Sequence, residues 1–483
     1  MAEFPFQLFI KCASSKNKEE SLLCTGLFRA VPGSRAIYDA VWKDTSVVVK
    51  VFSHKIKARL HLKRELKGLN QLQRCGLSSA RPLFSGKTDN GRWAIVLEKI
   101  VNSATILDVL AETTDKRVEL DLLIRVCREL AKQHSKGVLQ IDLHLGNFLL
   151  AGDRIYALDP SQMKFFRRQV PRKKSISQLA LLVCSLPAGD IKSARVICEE
   201  YFEVRGWHFG KSDEALLQKQ MAVYTRRGIR RGLKKSLRTS KRHLKITNKQ
   251  YSAVFEKIFC PEDEPLDFIR RLDALMDGGQ VLKDGNTCYV SRLSWNGKDV
   301  VVKRYNNKGF IYSLRHTIKR SRARTGWLHG HRLEMLNIAT PKPLAYIEQR
   351  RGLLVEKSYL VTQYIDGQSL YEFLRDDNVP REQRSVVIQL IKNLLDKLAK
   401  YHITHGDLKH SNILITETGP VITDLDAMIV HSWELLYRNR RAKDIERFMR
   451  GTSISLAMDN HCRLLISNKT DSSEKIPDDF DNV

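Results

Sequence analysis

Apolar residues occur along the chain either in short β-branched runs, which predict strands, or at helical spacing, which predicts helices. Residues 47–52 and 300–305 are short β-branched runs around a single lysine, as expected of buried strands. Residues 57–76 place leucines at helical spacing, and residues 120–131 and 387–398 show the same periodicity. These helical faces are typical of core packing. The pattern therefore predicts an α+β protein.

Two segments repeat one polar pattern at a constant offset. Residues 140–159 read QIDLHLGNFLLAGDRIYALD, and residues 405–424 read HGDLKHSNILITETGPVITD. Each contains an Asp, an Asn five positions later and a second Asp twelve positions after that. The corresponding residues are Asp142 and Asp407, Asn147 and Asn412, and Asp159 and Asp424. One such pattern is weak evidence of a shared site, but two copies, each followed by a predicted strand, are strong evidence.

The repeated residue types match the needs of phosphoryl transfer. This reaction uses a carboxylate at the attacking hydroxyl and oxygen ligands that hold Mg²⁺ against the triphosphate of ATP. We expect Asp142 and Asp407 to orient the acceptor hydroxyl as the catalytic residues. The predicted metal ligands are Asn147, Asp159, Asn412 and Asp424.

Kinase-type chemistry also predicts an upstream strand lysine that reaches the nucleotide phosphates. Lys50 and Lys303 occupy matched positions in their β-branched runs, although either one alone could be an ordinary edge-strand lysine. Glu65, on the predicted helix after Lys50, is the expected partner of that lysine. The second half has Gly326 at the corresponding position. Either Glu334 substitutes from a later turn, or this half lacks the usual lysine–glutamate pair.

These motifs resemble the protein-kinase-like fold, in particular the bacterial lipopolysaccharide core kinases that phosphorylate heptose or 3-deoxy-manno-octulosonic acid (Kdo). HGDLKHSN and IDLHLGN, with a downstream Asp in each half, carry the resemblance, which covers roughly residues 20–170 and 280–450. It implies two tandem bilobal modules, each with a small β-rich N-lobe and a larger helical C-lobe. It also implies an ATP- and Mg²⁺-dependent phosphotransferase with an alcohol acceptor.

Two further positions take their expected roles from this resemblance. His144 and Lys409 stand two residues after the catalytic Asp of each half, where the fold commonly places a residue beside the γ-phosphate. His144 resembles the small-molecule phosphotransferases, and Lys409 resembles the serine/threonine-type enzymes. Gln140 departs from the pattern, because His405 in the second half is the residue that usually supports the loop from beneath.

Neither half has a clean glycine-rich nucleotide loop. The candidate glycines are Gly26, Gly33, Gly278, Gly279 and Gly285. A G-x-x-x-x-G-K-[ST] motif is also absent from the sequence, which argues against a P-loop enzyme.

The charge of the chain favours anionic partners. It carries 82 basic and 54 acidic residues, a formal net charge of +28. Half of residues 226–245 are basic, and an apolar stripe accompanies them at helical spacing. The stripe consists of Ile229, Leu233 and Leu237. The pattern is typical of a helix that lies on an anionic bilayer surface or binds a phosphorylated glycolipid. The alternative interpretation is a solvated helix between domains. Like charges one turn apart also predict a nearby counter-charge.

The remaining composition favours a cytoplasmic protein. The chain has no run of 18 apolar residues, no signal-peptide pattern at its start, and nine cysteines without paired spacing. No signature of nucleic-acid binding is present, so we expect no nucleic-acid partner. With the family resemblance, these features predict peripheral association with the cytoplasmic face of the inner membrane and a lipopolysaccharide core glycolipid as substrate.

The repeat also predicts domain boundaries. We expect a first kinase-like module with a basic helical tail at residues 1–255, a second module at 262–470 and a disordered tail at 471–483. Three alternatives remain open from the sequence. The protein could phosphorylate a protein or another small molecule, it could pair one active module with one docking pseudokinase, or it could bind the anionic membrane without catalysis.

Overall fold

The chain divides into two compact units, Met1–Thr225 and Arg226–Val483. The computed structural model describes residues 3–13, 18–53, 57–184, 186, 191–261, 264–285, 288–306, 320–352 and 354–452. Each unit combines an antiparallel sheet with a region richer in helices, which confirms the α+β class. The predicted tail at 471–483 lies outside the described residues, as do residues 307–319 and 453–470 of the predicted second module.

Six antiparallel strands close into a barrel at the start of the first unit. They are β1 (Phe6–Cys12), β2 (Glu19–Val31), β3 (Arg35–Trp42), β4 (Thr45–Phe52), β5 (Pro82–Thr88) and β6 (Trp93–Glu98), in the order β1-β2-β3-β4-β6-β5. Val47, Val49 and Val51 point into the barrel because alternate residues of a strand share one face. Helix α1 (Ala58–Arg74) packs Leu62 and Leu69 against the other face of β6.

The rest of the first unit is mainly helical. Its helices are α2 (Ile106–Glu112), α3 (Lys116–Ser135), α4 (Arg172–Val183), α5 (Ile191–Val204) and the start of α6 (Lys211–Lys235). Its short strands are β7 (Ser103–Thr105), β8 (Val138–Gln140), β9 (Phe148–Ala151), β10 (Arg154–Ala157) and β11 (Met163–Phe165). The side chains of Thr105 and Asp115 cap α2 and α3. Val126, Leu130 and Phe148 belong to the core of this region.

A seven-stranded antiparallel sheet dominates the second unit. Its strands are β12 (His243–Thr247), β13 (Tyr251–Glu256), β14 (Gln280–Gly285), β15 (Cys288–Trp295), β16 (Lys298–Asn306), β17 (Pro343–Arg351) and β18 (Leu354–Gln363), in the order β12-β13-β17-β18-β16-β15-β14. One face packs against α7 (Pro265–Asp277) through Phe268, and the other packs against α8 (Arg322–Met335) through Trp327.

Short strands and three helices complete the second unit. The strands are β19 (Gln368–Ser369), β20 (Ile403–Thr404), β21 (Ile413–Thr416), β22 (Gly419–Ile422) and β23 (Ile429–Val430). The helices are α9 (Leu370–Arg375), α10 (Arg381–Lys400) and α11 (Glu434–Thr452). Leu394 and Leu398 of α10 lie in the core, as their helical spacing predicts.

The division between the units differs from the predicted boundary near residues 255–262. Strand β13 pairs with β17, with Phe255 opposite Ala345, so residues 243–256 belong to the sheet of the second unit. The basic tract is likewise not one helix, because α6 ends at Lys235 and β12 begins at His243. Among the described helices, none combines the length and the apolar character that a membrane span requires.

Candidate active site

The loop after β20 brings the predicted residues of the second unit together. Asn412 Nδ2 donates to the Asp407 backbone oxygen at 2.9 Å and to Asp407 Oδ2 at 3.2 Å. The Thr423 amide donates to the Asn412 carbonyl at 2.9 Å, which brings the end of β22 beside the loop. These bonds place Asp407, Asn412 and the Asp424 that follows Thr423 around one site.

Asp424 adopts an uncommon backbone conformation. Its φ is 58°, in the left-handed region, and it precedes a single 3-10 turn at Leu425–Ala427. Asp159 has the same conformation, with φ of 55°, before the turn at Pro160–Gln162. Non-glycine residues in this region are sparse and concentrate at functional sites. The two predicted metal-ligand carboxylates therefore share a local geometry that their spacing alone did not specify.

Lys303 binds the Asp424 carboxylate directly, at 2.6 Å. Burial favours a higher pKa for Asp424, but the charge and hydrogen bond of Lys303 outweigh it and hold that pKa below its ordinary value. Burial favours a lower pKa for Lys303, but the charges of Asp426 and Asp424 outweigh this effect and raise that pKa above its ordinary value. Both groups are therefore ionised at neutral pH.

The second unit lacks a counterpart of the Glu65 carboxylate at Gly326. A Cβ atom at Gly326 would lie 2.6 Å from Leu360 Cδ2, so a larger residue there would require the Leu360 side chain to shift. Glu334 does not replace it. Both carboxylate oxygens of Glu334 bind Arg242, at 2.7 and 2.8 Å, and one also lies 3.0 Å from His331.

Asp426 is a partly buried acid near Lys303 that sequence reasoning missed. It accepts hydrogen bonds from the Tyr305 hydroxyl at 2.7 Å and from Arg322 at 2.8 Å. The D-L-D run contains Asp426, but the motif gave no reason to expect its partners from β16 and α8. Its charge supports the protonated state of Lys303.

His405 supports the loop, as the resemblance implies for this position. Its Nε2 donates to the Thr423 carbonyl at 2.8 Å, and its Nδ1 accepts from the Asp407 amide at 3.3 Å. Asp444 of α11 accepts from the backbone amides of His405 at 2.6 Å and Gly406 at 3.0 Å. The sequence did not indicate Asp444, which lies in a mainly basic segment 39 positions from His405.

Two cations lie beside the Asp407 carboxylate. Lys409 Nζ is 3.1 Å from Oδ2, and Arg447 Nη1 is 3.5 Å from Oδ1. All three side chains are partly exposed, so a ligand can reach them from solvent. Lys409 was predicted beside the γ-phosphate, whereas Arg447 was not predicted. Together they can attract and neutralise an anionic group near the acceptor position.

The first unit brings its predicted residues together in a similar loop. Asn147 Nδ2 donates to the Asp142 backbone oxygen at 2.8 Å, and the Leu158 amide donates to the Asn147 carbonyl at 2.9 Å. His144 Nε2 lies 3.9 Å from Asp142 Oδ2. The side chain of Gln140 does not support the loop as His405 does, because it donates to Gln133 at 2.9 Å.

Lys50 in the first unit lies between two carboxylates. Its Nζ is 2.5 Å from Glu65 Oε1 and 3.8 Å from Asp159 Oδ1. Glu65 is fully buried on α1 and faces β4, as expected from its place on the predicted helix. The strand lysine therefore pairs with a helix glutamate in the first unit, whereas Lys303 of the second unit pairs with Asp424.

Arg35 of the first unit occupies both oxygens of Asp159. Its Nη1 and Nη2 donate to Oδ1 and Oδ2 at 3.0 and 2.8 Å. Burial favours a higher pKa for Asp159, but the bonds from Arg35 and the charge of Lys50 outweigh it and lower that pKa. Arg35 was not predicted because it lies 124 positions from Asp159 and belongs to no motif. It follows the β2–β3 turn that contains Gly33, one of the candidate loop glycines.

The apolar stripe of the basic tract is not a membrane-facing surface. Ile229 and Leu233 are buried in the core of the second unit, and Leu237 packs against them. The predicted counter-charge is present for Arg242, which binds Glu256 at 2.6 Å as well as Glu334. Arg227 and Arg231 of α6 remain exposed.

The oxygen donors of the second unit fit a magnesium ion. Mg²⁺ binds carboxylate and amide oxygens and keeps several of its waters. Asp424 and Asn412 offer these donors, and the Asp424 carboxylate is already ionised against Lys303. In the first unit, Arg35 holds the corresponding carboxylate with two hydrogen bonds.

Comparison with known proteins points to the second unit. Residues 277–457 match the sequence model of the lipopolysaccharide kinase (Kdo/WaaP) family. No curated protein matches the chain. The matched segment contains Lys303, Asp407, Lys409, Asn412 and Asp424. Residues 277–457 of the second unit are therefore similar to the lipopolysaccharide kinase (Kdo/WaaP) family.

Proposed function

We propose that the protein is an ATP- and Mg²⁺-dependent kinase that phosphorylates a sugar hydroxyl, of heptose or Kdo, in the lipopolysaccharide inner core. The reaction takes place in the second unit, which has a protein-kinase-like fold. The observation that carries this proposal is the convergence of Asp407, Asn412 and Asp424, with Lys303 bound to Asp424. The family of residues 277–457 supports the same reaction class.

Each residue has a distinct role in the proposed reaction. Asp407 orients the sugar hydroxyl and accepts its proton, while Asn412 and Asp424 hold the metal ion. When bound, Mg²⁺ would neutralise charge on the transferred phosphoryl group. Lys303 exchanges its bond to Asp424 for the nucleotide phosphates. Lys409 and Arg447 stabilise charge near the acceptor, so catalysis comes from positioning and electrostatics.

An anionic glycolipid acceptor suits the charge of the chain. The net charge of +28 favours association with phosphorylated lipids and with the anionic cytoplasmic face of the inner membrane. The start of α11 adds an apolar element that sequence reasoning missed. Trp433, Leu435 and Leu436 are 64%, 70% and 57% exposed, and Arg438 follows one turn later. We infer that this segment contributes to peripheral membrane contact.

A transfer assay tests the catalytic proposal. The purified full chain, supplied with ATP, Mg²⁺ and core oligosaccharide, should phosphorylate the sugar, and Asp407→Asn should remove this activity. Glu417→Gln, the same carboxylate-to-amide change at an exposed hairpin position, serves as the matched control and should keep it. Unchanged activity in Asp407→Asn would refute the proposed site. Transfer to a protein or another small molecule, with the oligosaccharide inert, would refute only the acceptor.

A second candidate function concerns the first unit, which we propose is a kinase-like module specialised for docking. The specific observation is that Arg35 binds both oxygens of Asp159, where a catalytic module needs them for metal. On this proposal Asp142→Asn leaves phosphate transfer intact. A partial loss in both Asp142→Asn and Asp407→Asn would instead mean two working sites.

A further inference from the structure

Three buried side chains converge in the second unit, away from the residues assigned to phosphoryl transfer. His243 on β12 and Glu256 on β13 are direct cross-strand partners. His331 reaches them from α8. The three residues are only 5%, 1% and 3% exposed. Two imidazoles and a carboxylate at one buried point form a set of metal-ligating types rather than an ordinary apolar contact.

The distances within this cluster fit a small coordinated cation. His243 Nε2 lies 3.3 Å and His331 Nε2 lies 3.8 Å from the same oxygen, Glu256 Oε1. One ligand atom from each residue falls within 4.8 Å of the other two. Tetrahedral zinc, with bonds of about 2.0–2.1 Å to its ligands, separates neighbouring ligand atoms by roughly 3.3 Å. Small side-chain shifts would bring all three atoms to coordination distance.

The outer nitrogens of both histidines are already held. His243 Nδ1 lies 3.2 Å from Ser240 Oγ, and His331 Nδ1 lies 3.0 Å from Glu334 Oε2. The inner Nε2 atoms of His243 and His331 are buried, and neither has a hydrogen-bond partner in the described part of the chain. Leaving two buried ring nitrogens unsatisfied is costly. Metal-ligating histidines show this same arrangement, with the second ring nitrogen fixed by an outer hydrogen bond.

The charge balance around the cluster also favours a cation. Arg242 donates to Glu256 Oε1 at 2.6 Å and binds both oxygens of Glu334. The two carboxylates and the one guanidinium together carry one net negative charge. Arg242 therefore shares the Glu256 carboxylate but does not cancel the charge of the whole cluster.

We propose that His243, Glu256 and His331 form a structural binding site for a divalent transition metal ion, with Zn²⁺ as the best fit. Imidazole ligands select zinc over magnesium, so this site differs in chemistry from the oxygen donors of Asn412 and Asp424. The ion fastens the β12–β13 hairpin, which precedes the family-matched segment, to α8. Helix α8 also carries Arg322, which binds Asp426 near Lys303.

Metal analysis of the full, untagged chain tests this site without any assay of activity. After incubation with Zn²⁺ and removal of free metal, elemental mass spectrometry should find about one zinc ion per chain. Zinc in excess of its dissociation constant should raise the melting temperature by roughly 5 °C or more, and a chelator should reverse the rise. X-ray absorption at the zinc edge should show two imidazole ligands.

Variants locate the ion. His243→Gln and His331→Gln should lose the zinc and its stabilisation, whereas His329→Gln on the same helix should keep both. Absence of stoichiometric zinc and of any thermal shift in the unaltered chain would overturn the proposal. Full retention of zinc by both cluster variants would also overturn it. If a cluster variant fails to fold, absorption spectra without imidazole ligands in the unaltered chain still refute the site.

Discussion

The Lys303 ammonium lies 2.6 Å from the carboxylate of Asp424, the residue proposed to hold the metal ion. In the first unit, the corresponding lysine has its shortest contact with a helix glutamate instead. The difference follows from Gly326, which offers no side chain where Glu65 stands in the first unit. If the proposed function is correct, Lys303 would exchange its bond to Asp424 for the nucleotide phosphates, and Asp424 would then be available to hold the metal ion.

Replacing this lysine should separate the roles of the two units. We expect Lys303→Met to lower the rate of phosphate transfer by roughly 100-fold or more, because it removes a preorganised cation from the phosphates. Lys50→Met, the matched change in the first unit, should leave the rate nearly unchanged. Steady-state transfer assays with core oligosaccharide measure both effects. Equal losses in the two variants would contradict a single catalytic unit.

Gly406, which precedes the proposed catalytic residue Asp407, should not tolerate a side chain because the space around it is filled. Gly406 has φ of 79°, and a Cβ there would lie 2.9 Å from Ala427 Cβ and still closer to the Ala427 carbonyl oxygen. We expect Gly406→Ala to destabilise the chain by roughly 3 kcal/mol, from left-handed strain plus overpacking.

Gly297 provides the matched comparison for this substitution. Its φ is 71°, but no atom lies within 4 Å of a Cβ built there. Gly297→Ala should cost only the backbone strain, about 1–2 kcal/mol. Urea unfolding of both variants gives the two free energies. A loss at Gly297→Ala as large as that at Gly406→Ala would show that the contact with Ala427 is unimportant.

A buried histidine should make the first unit sensitive to mild acid. Burial lowers the pKa of His134 to about 4, and its ring binds the Tyr201 hydroxyl at 2.5 Å and Gln178 Oε1 at 2.9 Å. The unfolded chain takes up a proton near pH 6.5, whereas the folded chain does so only near pH 4. Stability is therefore unaffected above pH 6.5 and falls by roughly 3 kcal/mol between these values.

The variant His134→Gln isolates this contribution, because glutamine does not titrate. Urea unfolding of the full chain at several pH values between 7 and 4 measures the slope. We expect the variant to lose less stability than the unaltered chain as the pH falls. Identical slopes would mean that His134 gains its proton as readily in the folded state as in the unfolded state.

The exposed apolar segment at the start of α11 should contribute to vesicle binding. We expect the double change Trp433→Ser and Leu435→Ser to weaken binding to phosphatidylglycerol vesicles by roughly 10- to 100-fold, because two apolar side chains no longer leave water. Ile258→Ser, at a residue that is 68% exposed in the same unit, is the control and should bind normally. Sedimentation with vesicles measures the affinity. Equal weakening in both proteins would assign the effect to general hydrophobicity.

Local spacing explains why part of the site could be predicted from the sequence. The Asp–Asn interval fits a loop whose amide side chain folds back onto the Asp carbonyl, and this bond forms in both units. Residues 47–52 and 300–305 also form strands, β4 and β16, as their β-branched composition predicts.

Long-range contacts explain what the sequence did not reveal. Arg35 and Asp444 act over 124 and 39 positions, and neither has a periodic or motif signal. The stripe of Ile229 and Leu233 correctly indicated an apolar helix face, but periodicity alone cannot distinguish a protein core from a membrane as its partner. The pairing of β13 with β17 was hidden for the same reason, since no short-range pattern specifies a distant strand.

The β12–β13 hairpin has a practical consequence for truncation of this protein. Cutting the chain at residue 277, where the family match begins, would discard both strands and the helical residues Ile229 and Leu233. Strand β17 would then become an uncovered sheet edge, which is a common starting point for aggregation. A fragment designed to contain the second unit should therefore retain its sequence from residue 226 onward.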